Sequence, residues 1–157
     1  MKTRTNKRFS GPPLPPFERA LKYLSLRARS TKEIFDYLKK KEYEEEDINA
    51  AIKRLIELKF LNDDNFARGF TENRQRKGKS KKAIEFELKL KGVTKDIAED
   101  VLEYSQSDYK TAMEYITKRL HQFDRFDPEI RQKRIISRLR SRGFDWDIIS
   151  KVLSKIQ

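Results

Sequence analysis

Two clusters of positive charge contain the residues of this chain that are best suited to binding a partner. The first is RQRKGKSKK at positions 74–82, which holds six cations and no acid in nine residues. Cations beside the free backbone N–H groups of a helix start can bind phosphate or carboxylate oxygens. The candidate binding residues of this first cluster are Arg74, Arg76, Lys77, Lys79, Lys81 and Lys82.

The second cluster is a stripe of arginines near the C-terminus. Arg131, Arg134, Arg138 and Arg142 recur at spacings of three, four and four residues, so a helix would align them on one side over about three turns. Guanidinium groups pair with carboxylates or phosphates in a bidentate way. Because aligned arginines repel one another, either a partner or acids from neighbouring helices must compensate them.

The charge of the whole chain favours an anionic partner. Its formal net charge is +12, and the excess lies mainly in residues 1–16 and in the last third of the chain. Such an excess favours a polyanion or an acidic protein surface, and the alternative is a solvated surface without a partner. Arg27 and Arg29, early in the chain, are weaker candidates for the same role.

Residue types for enzymatic chemistry are scarce. The chain has no cysteine, and its one histidine, His121, is interpreted as a packing or surface residue. The adjacent acids Asp63 and Asp64 would point in different directions on a helix, so they are interpreted as favourable charges at a helix start. We predict no catalytic residue, metal or cofactor. No apolar run reaches the roughly 18 residues of a membrane span, and we expect a cytoplasmic protein without a membrane partner.

The elements that must position these charges form a repeat. One pair of short amphipathic segments occurs three times, beginning at Ile34, Ile84 and Ile135, which are 50 and 51 residues apart. Regular spacing of this length indicates a repeat protein. The apolar residues recur at spacings of three and four, which is typical of helices. We predict an all-α fold of three tandem three-helix repeats that form an elongated, curved array.

The predicted boundaries follow composition and helix-start signals. Residues 1–16 are expected to be a flexible, basic, proline-rich arm. The three repeats are expected at 17–62, 63–106 and 107–157.

The apolar spacing also predicts a core. Because each unit is small, we expect neighbouring units to share one apolar face. Ile56 is expected on the inner face of its helix, and aromatic residues such as Phe66 and Phe86 lie at core spacing. Trp146, beside a predicted cap, is expected to be partly exposed and to be the aromatic residue most suited to partner contact.

The ordered motifs of the chain resemble those of the RecX family of bacterial recombination regulators. The matching segments are Leu21-x-x-Leu24-x-x-Arg27-x-Arg29-Ser30, Leu61-Asn62-Asp63-Asp64-x-Phe66-Ala67, Arg74-x-x-x-Gly78 and Ile84-x-x-x-Leu88-x-x-Lys91-Gly92-Val93. They follow the order expected of the family, and the resemblance runs from about Phe17 to the C-terminus. The first copy departs from the pattern at Glu42, where its turn lacks glycine.

The resemblance implies both a fold and a function. The fold is three tandem three-helix repeats. The function is binding of RecA, insertion into the groove of the RecA–DNA filament, and inhibition of ATP hydrolysis and strand exchange during recombination, repair and the SOS response. We expect a monomer, and single- or double-stranded DNA is a further candidate partner.

Two alternatives stay open at this point. Three-helix units can resemble helix-turn-helix domains, which would make the chain a stand-alone nucleic-acid-binding module or a transcription regulator. A metal-dependent nuclease is the second alternative, and it would use Asp63 and Asp64.

Overall fold

A computed structural model describes residues 13–156, which fold into nine α-helices and one short 3-10 helix, without a strand in that range. This confirms the all-α prediction. None of these helices is long and apolar enough to cross a membrane. The helices are α1 (Pro16–Leu24), α2 (Thr31–Lys40), α3 (Glu45–Glu57), α4 (Asp63–Arg76), α5 (Lys81–Leu90), α6 (Lys95–Glu103), α7 (Asp108–Thr117), the 3-10 helix Leu120–Gln122, α8 (Pro128–Arg140) and α9 (Trp146–Ile156).

Most of the predicted N-terminal arm lies outside the described residues. Of residues 1–16, the structure describes only Pro13 to Pro16, and Pro16 is already the first residue of α1. The hydroxyl of Tyr43 donates a hydrogen bond to the carbonyl oxygen of Leu14. This bond attaches the chain entering α1 to the turn between α2 and α3.

Short polar side chains fix where the helices begin. Ser30 accepts a hydrogen bond from the Glu33 N–H at 3.2 Å, and the Glu33 carboxylate accepts one from the Ser30 N–H at 3.1 Å, which forms a capping box at α2. Ser80 caps α5 by accepting from the Ala83 N–H at 3.2 Å. Thr94 stands at the N-cap position of α6, where the sequence favours a side-chain cap, but its hydroxyl makes no capping hydrogen bond.

Each three-helix unit encloses its own hydrophobic core. In every unit the first helix packs against the third, as α1 does on α3, α4 on α6 and α7 on α9. The buried apolar residues accordingly form three clusters, one within each unit. The expectation of an apolar face shared between units is therefore wrong. The fully buried residues at the centres of the clusters include Ile34, Leu38, Leu55, Ile84, Leu88, Ile116, Ile135 and Leu139.

Two predicted core residues lie on the surface instead. Phe86 is 63% exposed because it lies midway between Ile84 and Leu88, both fully buried, on a helix whose inner positions recur every three to four residues. Ile56 is 49% exposed at the end of α3. Trp146 is 53% exposed, as expected.

Hydrogen bonds of one repeated pattern join neighbouring units. At the first junction, the Ser30 hydroxyl donates to the Lys91 carbonyl at 2.6 Å, and the Thr31 N–H donates to the Asp63 carboxylate at 2.7 Å. Each bond attaches the start of α2 to the second unit. Polar groups therefore contribute directly to the contact between the first and second units.

The second junction repeats this arrangement between the second and third units. The Ser80 N–H donates to the Arg142 carbonyl at 3.0 Å, and the Lys81 N–H donates to the Asp108 carboxylate at 2.8 Å. In both junctions, the start of one unit's middle helix contacts a turn and a helix start of the next unit. The two junctions therefore use equivalent positions of their units.

Glycines occupy the turns that these junctions cover. Gly92 and Gly143 have φ of +75° and +89°. A Cβ at Gly92 would lie 2.6 Å from Lys32 Cβ, and one at Gly143 would lie 2.5 Å from Ser80 Oγ. Glu42, in the equivalent turn of the first unit, has φ of +63°. Within residues 13–156, the hydrogen bonds of this turn stay inside the first unit, so a side chain in place of glycine meets no neighbouring unit through them.

Candidate partner-binding surface

Half of the first basic cluster is engaged in contacts within the fold. The cluster runs from the end of α4 to the first turns of α5. Arg74 donates to the Glu87 carboxylate at 2.5 Å and lies over the ring of Phe70. Lys79 Nζ lies 3.8 Å from the same carboxylate, and Lys81 Nζ donates to the Leu102 carbonyl at 2.5 Å. These three cations therefore contact other groups of the fold and are less accessible to a partner.

The other half of the cluster faces solvent. Arg76 and Lys77 are exposed, and neither has a carboxylate within 4 Å among residues 13–156. Lys82 Nζ lies 3.8 Å from Asp145, and the two side chains are 78% and 75% exposed. Exposed pairs of this kind contribute little binding energy in water, so Lys82 keeps most of its capacity for a partner.

The arginine stripe is not one continuous surface. Helix α8 ends at Arg140, so Arg142 lies beyond the helix and turns toward α4. Its guanidinium donates to the Lys77 carbonyl and lies 4.0 Å from the centre of the Tyr115 ring. The structure therefore places Arg142 in the second junction.

The three remaining stripe residues lie on α8 in different environments. Arg131 lies 3.7 Å from Asp124. Arg134 is exposed, with its guanidinium 4.0 Å from the centre of the Phe126 ring. Arg138 is exposed and has no carboxylate within 4 Å in the described part of the chain. Arg134 and Arg138 are therefore the members of the stripe that remain accessible to a partner.

Arg27 and Arg29, the weaker candidates, both contact other residues of the first unit. Arg27 forms an ion pair of 2.8 Å with Glu33, which Lys91 of the second unit also contacts at 2.8 Å. Burial alone would raise the pKa of the Glu33 carboxyl, but hydrogen bonds from Arg27, Lys91 and the Ser30 N–H outweigh it and hold this pKa at about 2. Arg29 lies 3.8 Å from the centre of the Tyr23 ring.

The fold brings the two basic clusters together at the second junction. Arg142, four residues after Arg138, holds the carbonyl of Lys77 at the end of α4. We call the accessible members of both clusters the exposed cations. They are Arg76, Lys77, Lys82, Arg134 and Arg138.

One cation near this surface was missed by the charge spacing. Arg125 is exposed in the irregular segment between the 3-10 helix and α8, and its guanidinium lies 4.9 Å from the centre of the Phe126 ring. Spacing within a helix cannot indicate a residue that a loop folds back against that helix. The only local signal was its position just before the Asp127-Pro128 helix start.

The acids considered for metal chemistry have separate partners. Asp63 accepts the Thr31 N–H at the first junction, and Asp64 pairs with Arg68 at 2.7 Å. Within residues 13–156, no group of three or more His, Asp or Glu side chains could hold a metal ion. His121 is exposed in the 3-10 helix.

Family models match each of the three units. The models for the first, second and third three-helix domains of RecX match residues 17–55, 62–102 and 106–153. The chain belongs to the RecX family. This confirms the resemblance read from the ordered motifs.

Individual RecX proteins agree in sequence and in structure. The chain is 37% identical over 141 residues to regulatory protein RecX of Lactobacillus gasseri, covering 87% of this chain and 52% of that one. It is 35% identical to regulatory protein RecX of Prosthecochloris aestuarii, with 88% and 91% covered. The crystal structure of RecX from Lactobacillus salivarius superposes with a TM-score of 0.74 at 28% identity, over 89% of this chain and 93% of that one.

The RecX proteins differ in length from one another. The chain spans about half the length of the Lactobacillus gasseri relative but nearly all of the Prosthecochloris aestuarii one.

Proposed function

We propose that this chain is a cytoplasmic, monomeric regulator that binds RecA and the RecA–DNA filament and inhibits ATP hydrolysis and strand exchange. Membership in the RecX family carries the proposal. The inhibition would be steric and electrostatic, because a bound array of rigid helical units can hold the filament in one state without taking part in its chemistry.

The exposed cations support a particular face for this binding. Cations already paired with a carboxylate or a carbonyl inside the fold, such as Arg74 and Arg142, have little left to offer a partner. The exposed cations have no such strong partner in the described residues, and their summed field would attract an acidic or phosphate-bearing surface. We therefore assign partner binding to the face of the second and third units around the second junction.

The three-unit architecture supports a large partner. Each unit has its own core and is attached to the next by hydrogen bonds, so the spacing between the surface charges of successive units is fixed. Fixed charges lose less conformational entropy on binding than charges on a flexible chain. Such an arrangement suits a repetitive partner like a protein–DNA filament.

A charge-reversal series tests this face. We expect Arg76→Glu, Lys77→Glu and Arg138→Glu together to weaken inhibition of the RecA ATPase by roughly tenfold or more, because each reversal replaces attraction with repulsion. The control reverses three exposed lysines of the first unit, Lys22, Lys40 and Lys53. Both variants change the net charge equally, so an equal effect, or no effect of the first set, would show that the face is assigned wrongly.

A further inference from the structure

Six of the eight residues that line a concave pocket in the third unit have polar side chains that can donate hydrogen bonds, and the other two are Phe123 and Phe126. The pocket lies between the segment after the 3-10 helix and the outer side of α8, and its volume is about 260 Å³. Neither Asp124 nor Asp127, the acids nearest in sequence, lines it. The polar residues that line it are Gln122, Arg125, Arg134, Ser137, Arg138 and Ser141.

Two of the three arginines contact the same aromatic ring, that of Phe126. The guanidinium of Arg134 lies 4.0 Å from the centre of the Phe126 ring, and that of Arg125 lies 4.9 Å from the same centre. Cation–π contacts of this kind hold a guanidinium in place without using its N–H groups. Two positive charges are thus held close together while their donors remain available.

The pocket's positive charge is not neutralised within the described residues. Arg125, Arg134 and Arg138 have no carboxylate within 4 Å there, and Asp124 lies 3.7 Å from Arg131 instead. Three guanidinium groups around one small concavity repel one another, so an anion that enters would relieve this repulsion as well as form hydrogen bonds.

We infer that this pocket binds phosphate groups of a nucleic-acid strand. Arginine, serine and glutamine side chains are typical of protein contacts to the phosphate backbone. A nucleic-acid strand also presents successive phosphates, so several guanidinium groups can be occupied at once. The pocket has no exposed large apolar anchor of the kind that dominates protein–protein binding, since Phe126 is half-buried beneath its arginines.

This inference deepens the proposed function, on which it rests for its biological setting. It assigns the third unit to the nucleic acid of the filament, through a pocket that includes Arg125. Because phosphate contacts carry no information about the bases, binding through this pocket should be independent of base sequence. The physical claim can be tested on the chain alone, without RecA.

The test measures binding of a fluorescein-labelled single-stranded oligonucleotide of thymidines at a series of salt concentrations. For single strands, the slope of log K against log salt changes by about 0.7 for each phosphate neutralised. We expect Arg138→Ala to reduce the slope by about 0.7, and Arg125→Ala, Arg134→Ala and Arg138→Ala together to reduce it by about 2. Affinity at about 0.1 M salt should fall by roughly tenfold or more in the triple variant.

The matched control removes Lys22, Lys40 and Lys53 of the first unit, which costs the same net charge. If both triple variants lose affinity and slope equally, binding is general to the positive surface and the pocket assignment is overturned. If the triple variant misfolds, Arg138→Ala alone provides the test, because the Arg138 side chain makes no ion pair or hydrogen bond with the described residues, and the Ser141 hydroxyl contacts only its backbone carbonyl. An unchanged slope in that single variant would also overturn the assignment.

A second probe, poly-glutamate, tests whether the pocket prefers phosphate groups to carboxylates. Poly-glutamate should displace the oligonucleotide poorly, and its own binding should fall no more in the pocket variant than in the control variant. If the pocket variant loses poly-glutamate as strongly as oligonucleotide, the pocket is a site for an acidic protein and the phosphate inference fails. If the pocket variant keeps its oligonucleotide binding but no longer inhibits RecA, the phosphate inference fails while the proposed function stands.

Discussion

The guanidinium of Arg142 donates a hydrogen bond to the carbonyl oxygen of Lys77, across 65 residues of sequence. In return, the carbonyl of Arg142 accepts the Ser80 N–H at 3.0 Å. The two bonds connect the second and third units in both directions. An arginine that looks like a member of a binding stripe is thus part of the junction that sets the relative position of two units.

Replacing Arg142 should therefore reduce stability. We expect Arg142→Ala to lower the free energy of unfolding by about 1 kcal/mol, because it removes the hydrogen bond to the Lys77 carbonyl and the contact with Tyr115. Arg138→Ala, four residues earlier and exposed, should change it by less than about 0.5 kcal/mol. Urea denaturation of both variants checks this, and equal stability of the two would place Arg142 on the open surface.

The turn glycines should be required only where a unit packs on them. We expect Gly143→Ala to destabilise the chain by more than about 1 kcal/mol, because of its positive φ and of the contact that its Cβ would make with Ser80. Glu42→Gly removes a side chain at a similar φ from an exposed turn, so it should be neutral or stabilising. Thermal unfolding of the two variants measures the difference, and a tolerated Gly143→Ala would argue against a tight junction.

The two capping serines should differ in their contribution. Ser30 both accepts the Glu33 N–H and donates to Lys91 of the next unit, whereas the Ser80 hydroxyl is seen only as an acceptor for the Ala83 N–H. We expect Ser80→Ala to cost about 1 kcal/mol, the usual value for a lost cap. Ser30→Ala should cost about 1 kcal/mol more, because the Lys91 carbonyl loses its donor. Equal losses in chemical denaturation would mean that the bond between units contributes nothing.

Ionised Glu33 should stabilise the first junction in a defined pH range. Its folded pKa, about 2, is below its ordinary value of 4.5. The contribution is therefore complete above about pH 4.5 and is lost as the pH falls toward 2. We expect Glu33→Gln to reduce the free energy of unfolding by about 2 kcal/mol at pH 7, with the gap to the native chain closing below pH 4.5. A gap that does not depend on pH would contradict this assignment.

At the second junction, the pKa of Asp108 is shifted in the direction opposite to that of Glu33. Burial is the main cause that raises the pKa of the Asp108 carboxyl, against the lowering effect of the Lys81 N–H. Its ionised form is thus disfavoured by folding, and its contribution to stability improves as the pH falls. Asp108→Asn keeps an oxygen that can accept the Lys81 N–H, so we expect it to be neutral or stabilising at pH 7. A clear loss of stability in urea denaturation would show that the charge itself is needed.

Local signals made much of this fold predictable. The spacing of Ile34, Ile84 and Ile135 indicated the repeat, and Ser30 with Glu33 indicated a helix start. The sequence does not indicate which helix faces contact one another between units. Apolar periodicity suggested a shared apolar face, but the junctions are made by backbone groups and short polar side chains, which carry no periodic signal.

The candidate surface was predictable only in part, because charge clusters do not reveal their internal partners. Arg74 and Arg76 look equivalent in the sequence, yet Glu87 on α5 pairs with one and not with the other. Arg125 could not be associated with α8 before the loop was placed. Long-range contacts of single residues decide which cations stay accessible, and no local pattern encodes them.

The measurement that tests the central claim most directly is the DNA-dependent ATPase activity of the cognate RecA, titrated with this chain. We predict inhibition that becomes complete at concentrations comparable to the RecA protomers of the filament, and a loss of that inhibition in the Arg76→Glu, Lys77→Glu, Arg138→Glu variant. ATP hydrolysis that stays unchanged at all concentrations of the native, folded chain would contradict the account.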